Sequence, residues 1–176
     1  MKKSKQNYYE EHKTNSLTNA EIANSLIHTL KIQKLRLALA ESCTAGLVSA
    51  GLASISGASE ALWGSYICYT LDAKQRMLAI DSHLLETFGP VSKECARSLA
   101  ENALRLSGAD LALSVTGWAG PGGGDRNNPV GTVWIGTASA SGVDARRFYF
   151  PGDRDSVRQA ATGAAWEEAL RRLSLM

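Results

Sequence analysis

The chain has 176 residues, 44% hydrophobic and 20% charged, the proportions of a globular protein rather than a disordered or fibrous one. A formal net charge of +2, with its only basic cluster at Lys2, Lys3 and Lys5, argues against nucleic acid as a partner. No apolar stretch approaches a membrane span or the core of a signal peptide, and three cysteines without C-x-x-C spacing argue against disulfides and structural zinc; the expected setting is the reducing cytoplasm.

Residues 1–17 are polar and aperiodic and are expected to form a mobile tail, leaving 18–176 as a single domain. Ile22, Leu26, Ile27 and Leu30 recur at helical spacing behind a capping-box pair, Thr18 and Glu21. The apolar run 35–40 predicts a buried strand, and the small apolar run 47–53 a helix packed closely on the sheet. Residues 61–70 have the aromatic and β-branched content of a strand, and Asp72 is the expected cap of a short helix over 73–78. His83 falls in what reads as a polar connection. Ser92 opens a helix with Cys95, Ala96, Leu99, Ala103 and Leu104 on one side, and Gly108 stops it. Residues 110–116 and 130–138 predict two more strands, 146–150 an edge strand ended by Pro151, and 154–173 a closing helix with Val157, Ala161, Ala165, Ala169 and Leu173 on one face. The alternation predicts a three-layer α/β/α fold, and the two strands around Val130 and Phe148, without a helix between them, make the sheet mixed and mostly parallel.

Two strand ends concentrate the chemistry. Glu41-Ser42-Cys43-Thr44-Ala45-Gly46 lies between the first strand and its helix, where ligands bind in open α/β sheets. A serine there is either a nucleophile within reach of helix N-terminal N–H groups or simply a helix cap. Cys43 is equally open, as a thiolate favoured by a helix N-terminus or as a small apolar residue. The second strand end runs from Thr116 and Gly117 through Gly120, Gly122 and Gly123. Its glycines suit either a nest of N–H groups around a phosphate or a surface loop. It is neither a Walker loop nor a dinucleotide fingerprint. Lys74, close behind Tyr69, is either a lysine base for Ser42 or one more exposed lysine. His12, His28 and His83 lie in unrelated segments, and no residues stand at metal-ligand spacing.

With these residues in view, the chain from about Thr18 onward resembles the carboxy-terminal domain of the competence/damage-inducible CinA proteins. The resemblance is dense in four blocks, at residues 40–47, 69–74, 115–123 and 129–133. Stand-alone members of that family are nicotinamide-nucleotide amidases. The resemblance therefore implies hydrolysis of nicotinamide mononucleotide to nicotinic acid mononucleotide and ammonia, with neither metal nor cofactor, and a homo-oligomer. It implies Ser42 as the nucleophile and Tyr69 and Lys74 as its activating partners. Substrate contacts are implied at Glu41, Cys43, Thr44, Ala45 and Gly46, with N–H groups from Thr44 to Gly46 on the oxyanion. The same resemblance assigns the nucleotide to the loop of Thr116, Gly117, Gly120, Gly122 and Gly123, and its phosphate to Arg154 or Arg158. The chain departs from the family at Ala45, usually Gly, at Leu71, usually Asn, and at Trp118, usually Ile. These departures leave two alternatives, a relative that binds a nucleotide without turning it over and an amidase for another nucleotide.

Overall fold

The computed structural model describes residues 17–176; the expected tail, with its lysines and His12, falls almost wholly outside that range. Helix α1 (Asn19–Gln33) begins in a full capping box, with the Thr18 hydroxyl accepting from Glu21 N–H and the Glu21 carboxylate accepting from Thr18 N–H. Strand β1 (Leu37–Glu41) and helix α2 (Leu47–Ala53) follow as the apolar pattern predicts. Then come β2 (Leu62–Ile67), α3 (Leu71–Leu78), α4 (Ser82–Phe88), α5 (Lys93–Ser107), β3 (Leu111–Gly117), β4 (Thr132–Ser139), β5 (Gly142–Tyr149) and α6 (Arg154–Leu173).

The five strands form one sheet in the order β2-β1-β3-β4-β5. Strand β1 runs parallel to both β2 and β3, whereas β3, β4 and β5 are successively antiparallel, so the sheet is mixed and β5 is an edge. Alternation along the strands divides residues by size. Leu37, Leu39, Leu111, Leu113, Val133 and Ile135 join the core shared with α1, α2 and α6. Ala38, Ala40, Ala112 and Ala138 face α3, α4 and α5. The small face lets α5 come close: Ser114 Oγ donates to the Ala96 carbonyl at 2.6 Å, and a Cβ at Gly136 would run into that same carbonyl. The result is a three-layer α/β/α fold.

Two local expectations need correcting. Thr70, not Asp72, caps α3, its hydroxyl accepting from Ala73 N–H at 3.1 Å, while Asp72 sits in the first turn and pairs with Arg76 at 2.7 Å. His83 lies in α4, which Asp81 caps; only Leu85 of that helix is buried, too little apolar signal to stand out from a polar connection. Among the described residues no helix is long and apolar enough to cross a membrane.

The chain leaves β1 through α2 on one face of the sheet and reaches β3 through α3, α4 and α5 on the other. The carboxyl ends of β1 and β3 therefore flank a topological switch point, which leaves a crevice. Both strand ends singled out in the sequence open there.

Candidate active site

Glu41 ends β1 with its side chain on the same face as Leu37 and Leu39, toward α2. The carboxylate is almost fully buried. Its Oε2 accepts from Thr44 Oγ1 at 2.8 Å, Gly46 N–H at 2.8 Å and Val48 N–H at 3.1 Å. Its Oε1 accepts from Ser49 N–H at 2.9 Å and Ser65 Oγ at 3.1 Å. A helix start leaves its first N–H groups without partners and favours negative charge. Here the strand's own carboxylate satisfies both needs, because the N-cap, Gly46, has no side chain to do it. Neither Ser42 nor Thr44 acts as the cap, so the serine hydroxyl is left for other work. From the far side the Arg158 guanidinium donates to the carbonyls of Cys43 at 3.2 Å and Thr44 at 3.0 Å. The turn is held from both directions.

The oxyanion donors expected between Thr44 and Gly46 narrow accordingly. Ala45 N–H donates to the Ser42 carbonyl at 3.1 Å and Gly46 N–H to Glu41. Among the described residues, the N–H groups of Cys43 and Thr44 donate to no oxygen.

Lys74 is 2% exposed. Thr70 sets the register of α3 so that Lys74 and Leu78, one turn apart, both point inward. Its Nζ lies 2.9 Å from Ser42 Oγ and donates to the Cys68 carbonyl at 2.8 Å. Among the described residues it has no carboxylate partner. Burial pulls its pKa below the ordinary lysine value. Three buried free thiols surround it, and burial pushes Cys43 up to about 12 and Cys68 and Cys95 up to about 11. All three are therefore neutral at physiological pH, and their pull on the lysine charge is absent where it would matter. The thiolate reading of Cys43 fails for the same reason.

The crevice holds a cavity of about 400 Å³. Ser42, Cys43, Tyr69, Lys74, Thr116, Gly117, Gly120, Gly122 and Arg154 line it, together with Thr70, Leu71, Pro90, Val91, Trp118 and Ala119. Arg154 crosses its rim, donating to the Tyr69 hydroxyl at 2.6 Å and the Gly120 carbonyl at 2.7 Å. Among the described residues the Tyr69 hydroxyl bonds neither Ser42 nor Lys74; the arginine holds it. Thr116 is buried on the wall and donates to the Pro90 carbonyl at 2.7 Å. The remaining sequence candidates stand behind the wall: Glu41, Thr44, Ala45 and Gly46 in the turn, Arg158 on its carbonyls, and Gly123 against the Trp118 ring. Pro90 and Val91 entered unannounced, from the turn before α5, which nothing in their composition ties to β3.

The family model for the CinA C-terminal domain matches residues 19–173. The chain belongs to this family. The CinA-like protein of Geobacter metallireducens is 45% identical over 137 residues, 78% of this chain but 33% of its own length. The chain thus spans about a third of the length of the curated relatives it matches. A competence/damage inducible protein from Agrobacterium tumefaciens is 37% identical, with a TM-score of 0.84 covering 91% of this chain and 99% of that one. A CinA superfamily protein from Klebsiella pneumoniae superposes with a TM-score of 0.87 at 28% identity, covering 91% of this chain and 100% of that one.

The three departures from the usual CinA pattern fall in two places. Leu71 and Trp118 line the cavity, whereas Ala45 sits behind it in the turn. Ala45 is exposed and adopts φ 49°, in the left-handed region. A side chain there costs roughly 1–2 kcal/mol, part of which glycine would return through its freer unfolded chain. Ala45→Gly should therefore stabilise this CinA domain by about 0.5–1 kcal/mol, read as a rise of roughly 2 °C in the thermal midpoint.

Proposed function

We propose that this CinA domain hydrolyses the carboxamide of a nicotinamide nucleotide, with Ser42 as nucleophile and Lys74 as its base. The observation that carries the reading is the buried Lys74 Nζ at 2.9 Å from Ser42 Oγ, without a carboxylate beside it. A serine hydroxyl attacks an amide only when a base takes its proton, and a desolvated lysine can be neutral enough to do so. A neutral amine has two N–H groups and one lone pair. The Cys68 carbonyl takes one N–H, which leaves the lone pair free for Ser42.

Ser42 Oγ bonds to the amide carbon while Lys74 Nζ takes the hydroxyl proton. The carbonyl oxygen becomes an oxyanion, for which the N–H groups of Cys43 and Thr44, turned toward the Cys43 sulfur and bonded to no oxygen, are the proposed donors. Lys74 then gives its proton to the departing nitrogen, the C–N bond breaks, and ammonia leaves an acyl-serine. Water, deprotonated by the same amine, cleaves the ester and restores both side chains.

The rest of the cavity suits an anionic, partly flat substrate. Arg154 is the one guanidinium among the lining residues, and no carboxylate lies among them. Its fork is matched to phosphate. A volume of about 400 Å³ lies within the range of small-molecule sites. A second reading, nucleotide binding without turnover, is favoured by Leu71, an apolar side chain on the wall beside the proposed base. The deciding experiment is ammonia release from nicotinamide mononucleotide, with Ser42→Ala as the blank. Release above the blank is the expected result. No release, with binding retained by calorimetry, would select the second reading.

A further inference from the structure

We infer that Trp118 is a specificity-determining residue, a fixed stacking face that selects an electron-poor, positively charged aromatic ring carrying the amide. This deepens the hydrolytic reading above and rests on it.

Trp118 follows the last residue of β3, and its backbone is tied on both sides. Its N–H donates to the Thr132 carbonyl at 2.9 Å, and its carbonyl accepts from Gly131 N–H at 2.7 Å. The side chain is packed on one side against the glycine loop. Gly123, at φ 88°, lies against the six-membered ring, where a Cβ would stand 2.8 Å from Cζ3 and 3.2 Å from Cδ2. Any other residue at 123 would push the indole away. Trp118, half-buried, also lines the cavity that holds Ser42. A preset aromatic surface therefore stands in the same crevice as the nucleophile, with Leu71 and Val91 completing an apolar wall.

An indole is the most electron-rich of the protein rings, and its face attracts cations. An aliphatic amide gains little from such a wall. A pyridinium carboxamide gains both stacking and the cation's attraction to the ring. The reduced form of the same ring, a neutral and electron-rich dihydropyridine, gains much less. Trp118 should thus separate the oxidised from the reduced nicotinamide ring while leaving the chemical step alone.

The test uses the full chain carrying Ser42→Ala, so that the amide stays intact. Oxidised and reduced nicotinamide mononucleotide are titrated by calorimetry and by indole fluorescence and absorbance. The oxidised nucleotide is expected to bind more tightly, with quenching and a broad charge-transfer band. Trp118→Ile should abolish the band, weaken the oxidised nucleotide about tenfold and bring the two nucleotides level. Trp118→Phe should keep part of the preference, and Trp63→Phe all of it. With Ser42 restored, Trp118→Ile should raise KM without lowering kcat. A Trp118→Ile protein that unfolds at the wild-type temperature yet keeps the band and the preference would overturn this inference alone. Failure of every variant, Trp118 intact included, to bind either nucleotide would overturn the hydrolytic reading with it.

Discussion

Ammonia release from nicotinamide mononucleotide should fall by about three orders of magnitude or more in Ser42→Ala and in Lys74→Met, and no further in the double variant. The two side chains act on one proton, so removing either removes the same step. Lys74→Arg is the sharper control. It keeps a positive charge and several donors, but a guanidinium does not give up its proton and cannot serve as a base. It should be as silent as methionine. Activity in the wild-type protein should rise with pH as Lys74 loses its proton. Burial places the midpoint of that limb below the ordinary lysine value of about 10.4. A rate independent of pH from the ordinary lysine range downward would remove Lys74 from the role.

The same burial sets a sign for stability. A lysine whose folded pKa is depressed takes up its proton later, as pH falls, than it does in the unfolded chain. Between those two values the unfolded state binds more protons, so folding weakens as pH drops through the window. Lys74→Met removes that penalty and keeps the shape of the side chain, at the cost of one donor to the Cys68 carbonyl. The inactive variant should therefore melt no lower than wild type. A lost activity accompanied by a lost fold would leave catalysis unaddressed, and Lys74→Arg beside it separates the two.

Ser42 and Lys74 were both candidates in the sequence, but Lys74 stood open between a base and an exposed lysine until its burial was known. A buried apolar run emptying into small polar residues marks a strand end wherever it occurs, and the crevice follows from topology. Lys74 and Leu78, four residues apart, share one face of α3 wherever its cap falls, but only the tertiary structure shows that this face is the buried one. The division of sheet residues by size was readable in the alternation of Leu37, Ala38, Leu39 and Ala40. Arg154 and Arg158, one turn apart, could not be told apart by spacing. Only the tertiary structure sends one to the rim of the cavity and the other to the carbonyls of the turn. Glu41 was the deepest misfit. In sequence it reads as a polar residue at the mouth of a site, and in space its side chain turns back under α2 and does not line the cavity. The available clue was indirect, a helix whose N-cap is glycine and whose first N–H groups therefore need an acceptor from elsewhere.

That misfit carries the second large expectation, on stability rather than chemistry. Glu41→Ala leaves five donors facing a void: Thr44 Oγ1, Ser65 Oγ and the N–H groups of Gly46, Val48 and Ser49. Removing one partner from a buried charged network costs roughly 3–5 kcal/mol, against a total stability of about 5–15 kcal/mol for a domain. The denaturant midpoint should fall by a large fraction, with the slope unchanged. Glu41→Gln tests whether size alone matters. Its amide is the right shape, but both carboxylate oxygens accept here, and an NH2 group in either place would face donors with a donor. Glutamine should therefore recover only part of the loss. If Glu41→Gln were as stable as wild type, the carboxylate would be a filler rather than the cap of α2. At temperatures where Glu41→Gln is folded, it should keep the Ser42–Lys74 pH profile and lose far less activity than Ser42→Ala, because it acts on the turn and not on the proton.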